Sequence, residues 1–474
     1  MTASRSDGDT EDAAREPRSF LGRVGLRTAA LLRSTRRSGV NDRELRRIRL
    51  LIDAAVAGTG GHDAARARAE EVGAHYLETS DAGRRRLLRL LVDEYATNPR
   101  AVDEAVEHRY RARFSDDIGE LWEADARLRR ALEPPWSRFL ALYAGLPDGI
   151  KFLVDLRADL RRAAKDDPAL AHLDRGLFDL LSSWFDIGLL DLRELTWNTP
   201  AAMLERLIEY ESVHEIASWE DLKDRLDIDR RCFGYFHPAM PDEPLIFVEV
   251  ALTEGMADDI SSVLDPTAPP DDPDAADTAV FYSISNCQPG LAGVSLGDAL
   301  IKRVVRALQA ELPQLRQFVT LSPIPGFRPW LEERLDDEAD ELFSPEEAAG
   351  LATIVDGAGP AEIVRRLIAD PEWPATPSRA EALRPPLMRL CARYLLTVGA
   401  DERAIDRVAN FHLSNGARVE RINWLANASP TGLERSCGLM VNYRYEPDRI
   451  DTNHDAYIDE GRIISAAAVQ RLAD

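Results

Sequence analysis

Two short segments of this chain hold the residue types that could bind a carboxylate and move a proton. One is Asn410-Phe411-His412-Leu413-Ser414-Asn415-Gly416, where a lone histidine stands between aromatic and aliphatic neighbours. The other is Ser322-Pro323-Ile324-Pro325-Gly326-Phe327, a proline-held turn that opens on a hydroxyl. Histidine ordinarily titrates near neutrality and suits general acid–base work. A serine followed by proline does not fit the nucleophile-elbow pattern, so hydrogen bonding suits Ser322 better than acyl transfer. On residue type alone, a histidine beside Phe and Leu is more often a packed residue than a catalyst. Its local structure is also open: a short helix capped by Asp406 and ended by Gly416, or an Asn-Gly hairpin.

A third segment could hold an anion. Ala279 to Ser285 alternates β-formers and predicts a half-buried strand, which Gly290, Gly293 and Gly297 interrupt. A helix then begins at Ala299, with Leu300, Ile301, Val304, Val305 and Leu308 on one stripe, and a second strand follows over Gln317 to Leu321. Free N–H groups and the dipole at a helix start attract phosphate, and Lys302, Arg303 and Arg306 add positive charge. The loop matches neither a P-loop nor GxGxxG, so on pattern an ordinary tight connection is an equal alternative.

Other candidates carry less chemistry. His214 and Glu215, on a helix predicted over Ala201 to Ile216, lack the second histidine of HExxH. Asp451, Asn453, Asp455 and Asp459 imitate a calcium loop, yet Ala456 takes the glycine position and Arg462 that of the bidentate glutamate. His237, before Pro238, is expected to be a turn residue. Cys287 has no base nearby in sequence, so a neutral thiol is expected. The four cysteines are scattered without CxxC spacing, which points away from zinc and disulfides and toward a reducing cytoplasm. No metal site is expected.

The elements that must position these residues fall into two textures. The first twenty residues are polar and read as a disordered tail, not a signal peptide. From Leu21 to Leu195, segments rich in Ala, Leu, Arg and Glu carry one apolar stripe each and predict an all-α bundle, a place for packing and subunit contacts. From Thr196 to Asp474, strands are predicted over Cys232–His237, Leu245–Leu252, Ala279–Ser285, Gln317–Leu321, Arg418–Trp424 and Gly438–Tyr443. A proline-aspartate loop spans Asp265 to Asp277, and a helical insertion spans about 331 to 396. Strands interleaved with helices give an α/β domain joined to an all-α one, an α+β chain overall. A net charge of −23 argues against nucleic acid or an anionic membrane as partner. No apolar run is long enough to span a bilayer, and the C-terminal Arg-Leu-Ala-Asp is not a peroxisomal signal.

The segments FYSISNCQPGLAGVSLGDALIKRVV, TLSPIPGF, RRCFGYFHPAMPDEPLIFVEVALT, NFHLSNGARVERINWLA and CGLMVNYRY together resemble the malonyl-CoA decarboxylase family, from about Leu146 to Tyr445. The resemblance implies a helical N-terminal domain followed by a catalytic domain of the GNAT acetyltransferase superfamily, built on a mixed sheet. By residue-for-residue match it implies that His412 and Ser322 are catalytic and that Ser283 and Tyr445 support them. The coenzyme A pyrophosphate would be held by Gln288, Gly290, Leu291, Gly293, Val294, Gly297 and Lys302. Ser295 departs from the acidic residue of animal members. The implied activity is conversion of malonyl-CoA to acetyl-CoA and CO2 by a carboxy-lyase with no cofactor, in a dimer or tetramer. Two rival functions remain on sequence grounds: acyl-CoA N-acyl transfer, commoner in the superfamily, and acyl-CoA binding without catalysis.

Overall fold

The computed structural model describes residues 39–294, 296, 297, 300–337, 341–355 and 357–474. The expected N-terminal tail and Ser295 lie outside the described residues. The chain divides into two compact units, one reaching Trp184 and including Gln288–Val294, the other formed by Phe185–Cys287 and Ser295–Asp474.

The first unit is helical, with helices Asp42–Val56, Gly61–Glu78, Asp81–Glu94, Pro99–Ala112, Ile118–Leu132, Pro135–Ala141, Gly149–Ala164 and Ala171–Trp184. Local chemistry sets their ends. Asn41 and Glu44 form a capping box, Ser80 caps from its side chain, and Asn98 caps a helix whose first residue is Pro99. The apolar stripes meet in a core of Ile48, Ile52, Leu87, Leu91, Phe139, Tyr143, Leu153 and Leu160, all buried. The segment Gln288–Val294 is tied to the Gly149–Ala164 helix. Arg157 donates from Nη1 to the carbonyls of Gly290 at 2.6 Å and Ala292 at 3.1 Å.

The second unit is built on an eight-stranded mixed sheet: β1 (Asp191–Leu195), β2 (Arg230–His237), β3 (Met240–Thr253), β4 (Thr278–Asn286), β5 (Gln317–Thr320), β6 (Ser322–Pro323), β7 (Arg418–Asn423) and β8 (Met440–Tyr445). β1 to β4 form an antiparallel meander, β4 and β5 are parallel, and β5, β6 and β7 each pair antiparallel with β8. Three expectations are corrected here. The helical reading through Leu195 ends at Trp184, because Asp191–Leu195 pairs with β2 as an edge strand. The Ala201 helix stops at Tyr210, so His214 lies in the following loop. Ser322 and Pro323, expected to be part of a turn, make a two-residue strand on β8.

Strand alternation assigns the two faces of the sheet. Val280, Tyr282, Val319, Leu321 and Met440 share an apolar cluster on one face. The opposite face carries Thr320 of β5, Ser322 of β6, and Tyr443 and Tyr445 of β8, whereas a β-bulge in β4 between Phe281 and Ser283 keeps Ser283 and Ser285 on the side of Glu249 and Ala251. The parallel pairing of β4 with β5 stops at Phe281↔Thr320. β4 runs on to Asn286, whereas the other strand turns into β6, so the two part beyond this point.

Candidate active site

His412 sits on the helix Arg407–Ser414. Asp406 caps it, its Oδ1 accepting from the N–H of Val408 at 2.9 Å and of Ala409 at 2.8 Å. This is the helix of the two local structures that the sequence left open. Gly416 ends it with φ of 81°, and a Cβ there would stand 2.1 Å from the carbonyl oxygen of Ile450, so this position requires glycine.

The fold brings three of the sequence-derived candidates together. His412 Nε2 lies 3.1 Å from Ser322 Oγ, and His412 Nδ1 lies 2.8 Å from Tyr445 Oη. Ser322 Oγ donates to Thr320 Oγ1 at 2.8 Å, and Thr320 Oγ1 also accepts from the Tyr443 N–H at 3.0 Å. The Tyr443 ring stacks on the imidazole, centroids 4.5 Å apart and 25° between planes, and the Phe411 ring meets it edge-on. With the Ser322 proton committed to Thr320, one consistent arrangement has Nε2–H donating to Ser322 and Tyr445 O–H donating to Nδ1. All three residues are buried. Burial pushes the His412 pKa down to about 3, so the ring is neutral at physiological pH, and burial also pushes the Tyr445 phenol well above its ordinary value.

Ser283 belongs to a second polar cluster, on the other face of the sheet beside Glu249. Its Oγ donates to both Glu211 oxygens, at 2.8 and 2.7 Å, and Ser285 donates to Glu211 Oε2 at 3.0 Å. The Val213 and His214 N–H groups also bond Glu211. Glu249, opposite Ser283 in the β3–β4 register, is 1 % exposed and 3.2 Å from Arg225 Nη1. Burial, and then the neighbouring Glu211, push its pKa up to about 8. Sequence reasoning passed over Glu211, Glu249, Thr320 and Tyr443. Period-two alternation from Ser322 and Tyr445 would have found the last two; no local signal marks the glutamates.

The expected coenzyme A loop is divided between the units. Gln288, Gly290, Leu291, Gly293 and Val294 group with the helices, and Gly297 and Lys302 with the sheet. Gly290 admits the carbonyl of Val154, since a Cβ would stand 1.8 Å from that oxygen. Gly297 admits the Phe411 ring, 2.4 Å from where a Cβ would be. Both glycines thus have packing reasons within the protein. Lys302 Nζ is paired with Asp451 at 2.9 Å. The calcium-loop imitation is a helix, Ile450–Glu460. His237 closes β2, its Nδ1 accepting from Ala239 N–H at 3.1 Å. All four cysteines are free and buried, and burial raises the Cys287 thiol well above its ordinary pKa. Among the described residues, no cluster of three or more His, Cys, Asp or Glu side chains could hold a metal ion, and no helix is long and apolar enough to cross a membrane.

A mixed sheet that buries an uncharged serine–histidine–tyrosine chain on one face, joined to a helical unit, defines a class: an α+β protein with a buried, hydrogen-bonded polar site. Comparison with known proteins makes the class particular. The Malonyl-CoA decarboxylase C-terminal domain model matches residues 188–474, and the N-terminal domain model matches residues 95–185. The mitochondrial malonyl-CoA decarboxylase of Anser anser anser is 39 % identical over 408 residues, covering 83 % of this chain and 81 % of that protein. That of Rattus norvegicus is 39 % identical over 369 residues, covering 76 % and 75 %. The crystal structure of malonyl-CoA decarboxylase from Rhodopseudomonas palustris aligns with a TM-score of 0.80 at 37 % identity, covering 90 % of this chain and 99 % of that one. The Agrobacterium vitis structure aligns with the same TM-score at 39 % identity and the same coverage. The chain belongs to the malonyl-CoA decarboxylase family.

Proposed function

We propose that this chain converts malonyl-CoA to acetyl-CoA and CO2, and that Ser322, His412 and Tyr445 carry the chemistry. The observation that supports this most directly is the continuous hydrogen-bonded chain from Tyr445 through His412 to Ser322, in a member of this family. Malonyl-CoA is a β-carbonyl acid. When its carboxylate is held perpendicular to the thioester plane, the electrons of the breaking C–C bond pass onto the thioester carbonyl. The thioester is itself the electron sink, so the reaction requires no cofactor. Ser322 and His412 hold the carboxylate, and positioning of this kind lowers a barrier by about 7 kcal/mol or more. Backbone N–H groups where β4 and β6 part meet the enolate oxygen.

One proton is consumed per turnover. It passes from His412 Nε2 through Ser322 Oγ to the enolate carbon, Tyr445 donates to Nδ1 as Nε2 is stripped, and solvent restores the chain. A neutral imidazole suits this route, because a thioester enolate is basic enough to take a proton from an uncharged donor. Ser283 is assigned a supporting role. We assign coenzyme A binding to Gln288, Gly290, Leu291, Gly293, Val294, Gly297 and Lys302. The strand divergence after Phe281 and Thr320 supports the GNAT-like assignment of the sheet.

The free cysteines suit a reducing compartment, and we assign the chain to the cytoplasm. We also propose a homo-oligomer, a dimer or tetramer, in which a second copy covers the Pro99–Ala112/Ile118–Leu132 hairpin. That hairpin buries only Ala105, Ala112 and Ala124 and exposes Tyr110, Phe114 and Trp122. A monomeric mass at micromolar concentration would overturn this.

The primary test is purified protein with malonyl-CoA and no added metal or acyl acceptor, following acetyl-CoA and CO2 together. Equal formation of both is expected. Coenzyme A binding without turnover would move the assignment to acyl transfer or simple binding.

A further inference from the structure

Ser322 and His412 are 90 residues apart in sequence, so their 3.1 Å contact exists only while two separate segments are held in register. One buried junction touches both. On the histidine side, Asp406, 1 % exposed, caps the His412 helix with Oδ1, while its Oδ2 accepts from Tyr394 Oη at 3.0 Å. On the serine side, the turn that leaves Ser322 reaches Gly326 and then the helix Phe327–Asp337. The Tyr394 ring packs on Phe327 and Trp330 of that helix, with centroids 5.9 and 5.3 Å away. Its hydroxyl fills the space beside Gly326. A Cβ at position 326 would stand 2.1 Å from Tyr394 Oη, 3.3 Å from Tyr394 Cζ and 3.5 Å from Asp406 Oδ2.

We propose that Tyr394 and Asp406 are positioning residues for the reaction. The Tyr394 hydroxyl, seated against Gly326 and bonded to Asp406, locks the Ser322 turn to the cap of the His412 helix and so sets the Ser322–His412 spacing. Neither residue touches substrate. The inference rests on Ser322 and His412 being the reacting pair, and it assigns a mechanical purpose to the glycine of Ser-Pro-Ile-Pro-Gly-Phe. That position is closed to any side chain because a hydroxyl from the Pro377–Leu396 helix already occupies it. A buried tyrosine–carboxylate bond that only adds stability would leave turnover unchanged when weakened. A positioning bond moves kcat and leaves KM alone.

The experiment compares the full chain with Gly326→Ala, with Tyr394→Phe and with both together, measuring kcat and KM for malonyl-CoA and the midpoint of thermal unfolding. Gly326→Ala drives the new methyl into the Tyr394 hydroxyl, shifts the turn, and is expected to lower kcat about a hundredfold with KM held within about threefold. Tyr394→Phe is expected to lower kcat about tenfold at unchanged KM. In the double variant the methyl takes the place of the missing hydroxyl, so kcat recovers to about the level of Tyr394→Phe alone, a failure of additivity that reports direct contact. A double variant as slow as Gly326→Ala, or unfolding midpoints that fall while kcat holds, would overturn the proposal. If Gly326→Ala does not fold, Tyr394→Phe decides by the same split: reduced kcat at constant KM supports positioning, and unaltered kcat refutes it. Ser322→Ala and His412→Ala are assayed in the same series. If they stay active, the site assignment itself fails; if they are inactive and no rescue occurs, only the junction is wrong.

Discussion

Two polar clusters on opposite faces of the same sheet solve the problem of burial in different ways. The Tyr445–His412–Ser322–Thr320 chain contains no standing charge: each member is neutral, and the line of hydrogen bonds satisfies it. The Glu211–Ser283–Glu249–Arg225 cluster is built around the Arg225 guanidinium and two carboxyl groups. Arg225 reaches Glu249, Asp221 and the carbonyls of His214 and Glu215, while Glu211 collects two hydroxyls and two N–H groups. Buried charge must be surrounded by partners, which immobilises it. An uncharged chain is held by the strands and helix that carry its members, and its protons stay free to move. The two clusters therefore meet burial by different means, one with neutral groups alone and the other around the Arg225 guanidinium.

The largest effect that would break this contrast is on turnover. His412→Ala should lower kcat by about a hundredfold to ten-thousandfold, the usual range for a lost proton donor, with coenzyme A affinity nearly unchanged. Glu249→Gln, which keeps an oxygen for Arg225, should leave kcat within about twofold. Steady-state kinetics with a coenzyme A binding titration on both variants checks the pair. Comparable losses of kcat would erase the distinction.

What the sequence made legible follows from how locally each feature is determined. Ala279–Ser285 alternates cleanly and is a strand. Asp406 and Gly416 bracket His412 at helix-cap spacing and are its caps. β1 was misassigned because Asp191-Leu192-Arg193-Glu194-Leu195 carries good helix formers, and only pairing with β2 makes it a strand. Ser322 reads as a turn because two prolines follow it, and only β8 shows that it is also a strand residue. The charge state of His412 was least legible of all. It depends on burial against Tyr443 and Phe411 and on Tyr445, and the two tyrosines come from a strand far along the chain.

That charge state gives the two clusters opposite pH signatures in stability. The His412 pKa is about 3 in the folded protein against an ordinary 6.5. Between these values the unfolded chain binds a proton that the native protein refuses, so stability falls as pH drops below 6.5, by about 1.4 kcal/mol per pH unit at most. Above 6.5 this contribution is fully present and flat. For Glu249 the native pKa is raised to about 8 from 4.5. Here the native protein binds the extra proton, so its contribution is complete below 4.5 and is lost as pH rises through 8.

Glu249→Gln tests the second of these two slopes and sharpens the contrast most directly. A carboxamide cannot ionise, still accepts from Arg225, and nearly matches the side chain in shape. Urea unfolding of the variant and of the starting protein between about pH 5 and pH 9 should give curves that lie close together near pH 5 and separate up to about pH 8, the variant being more stable by at most about 4 to 5 kcal/mol near pH 9. Loss of one charge-assisted bond to Arg225 offsets part of this gain. The acid limb, set by His412, should be unaltered. Parallel curves across the whole range would mean that Glu249 is ionised at all these pH values and that Arg225 outweighs burial and Glu211. Both clusters would then tolerate burial for the same reason, satisfied hydrogen bonds, with charge deciding nothing.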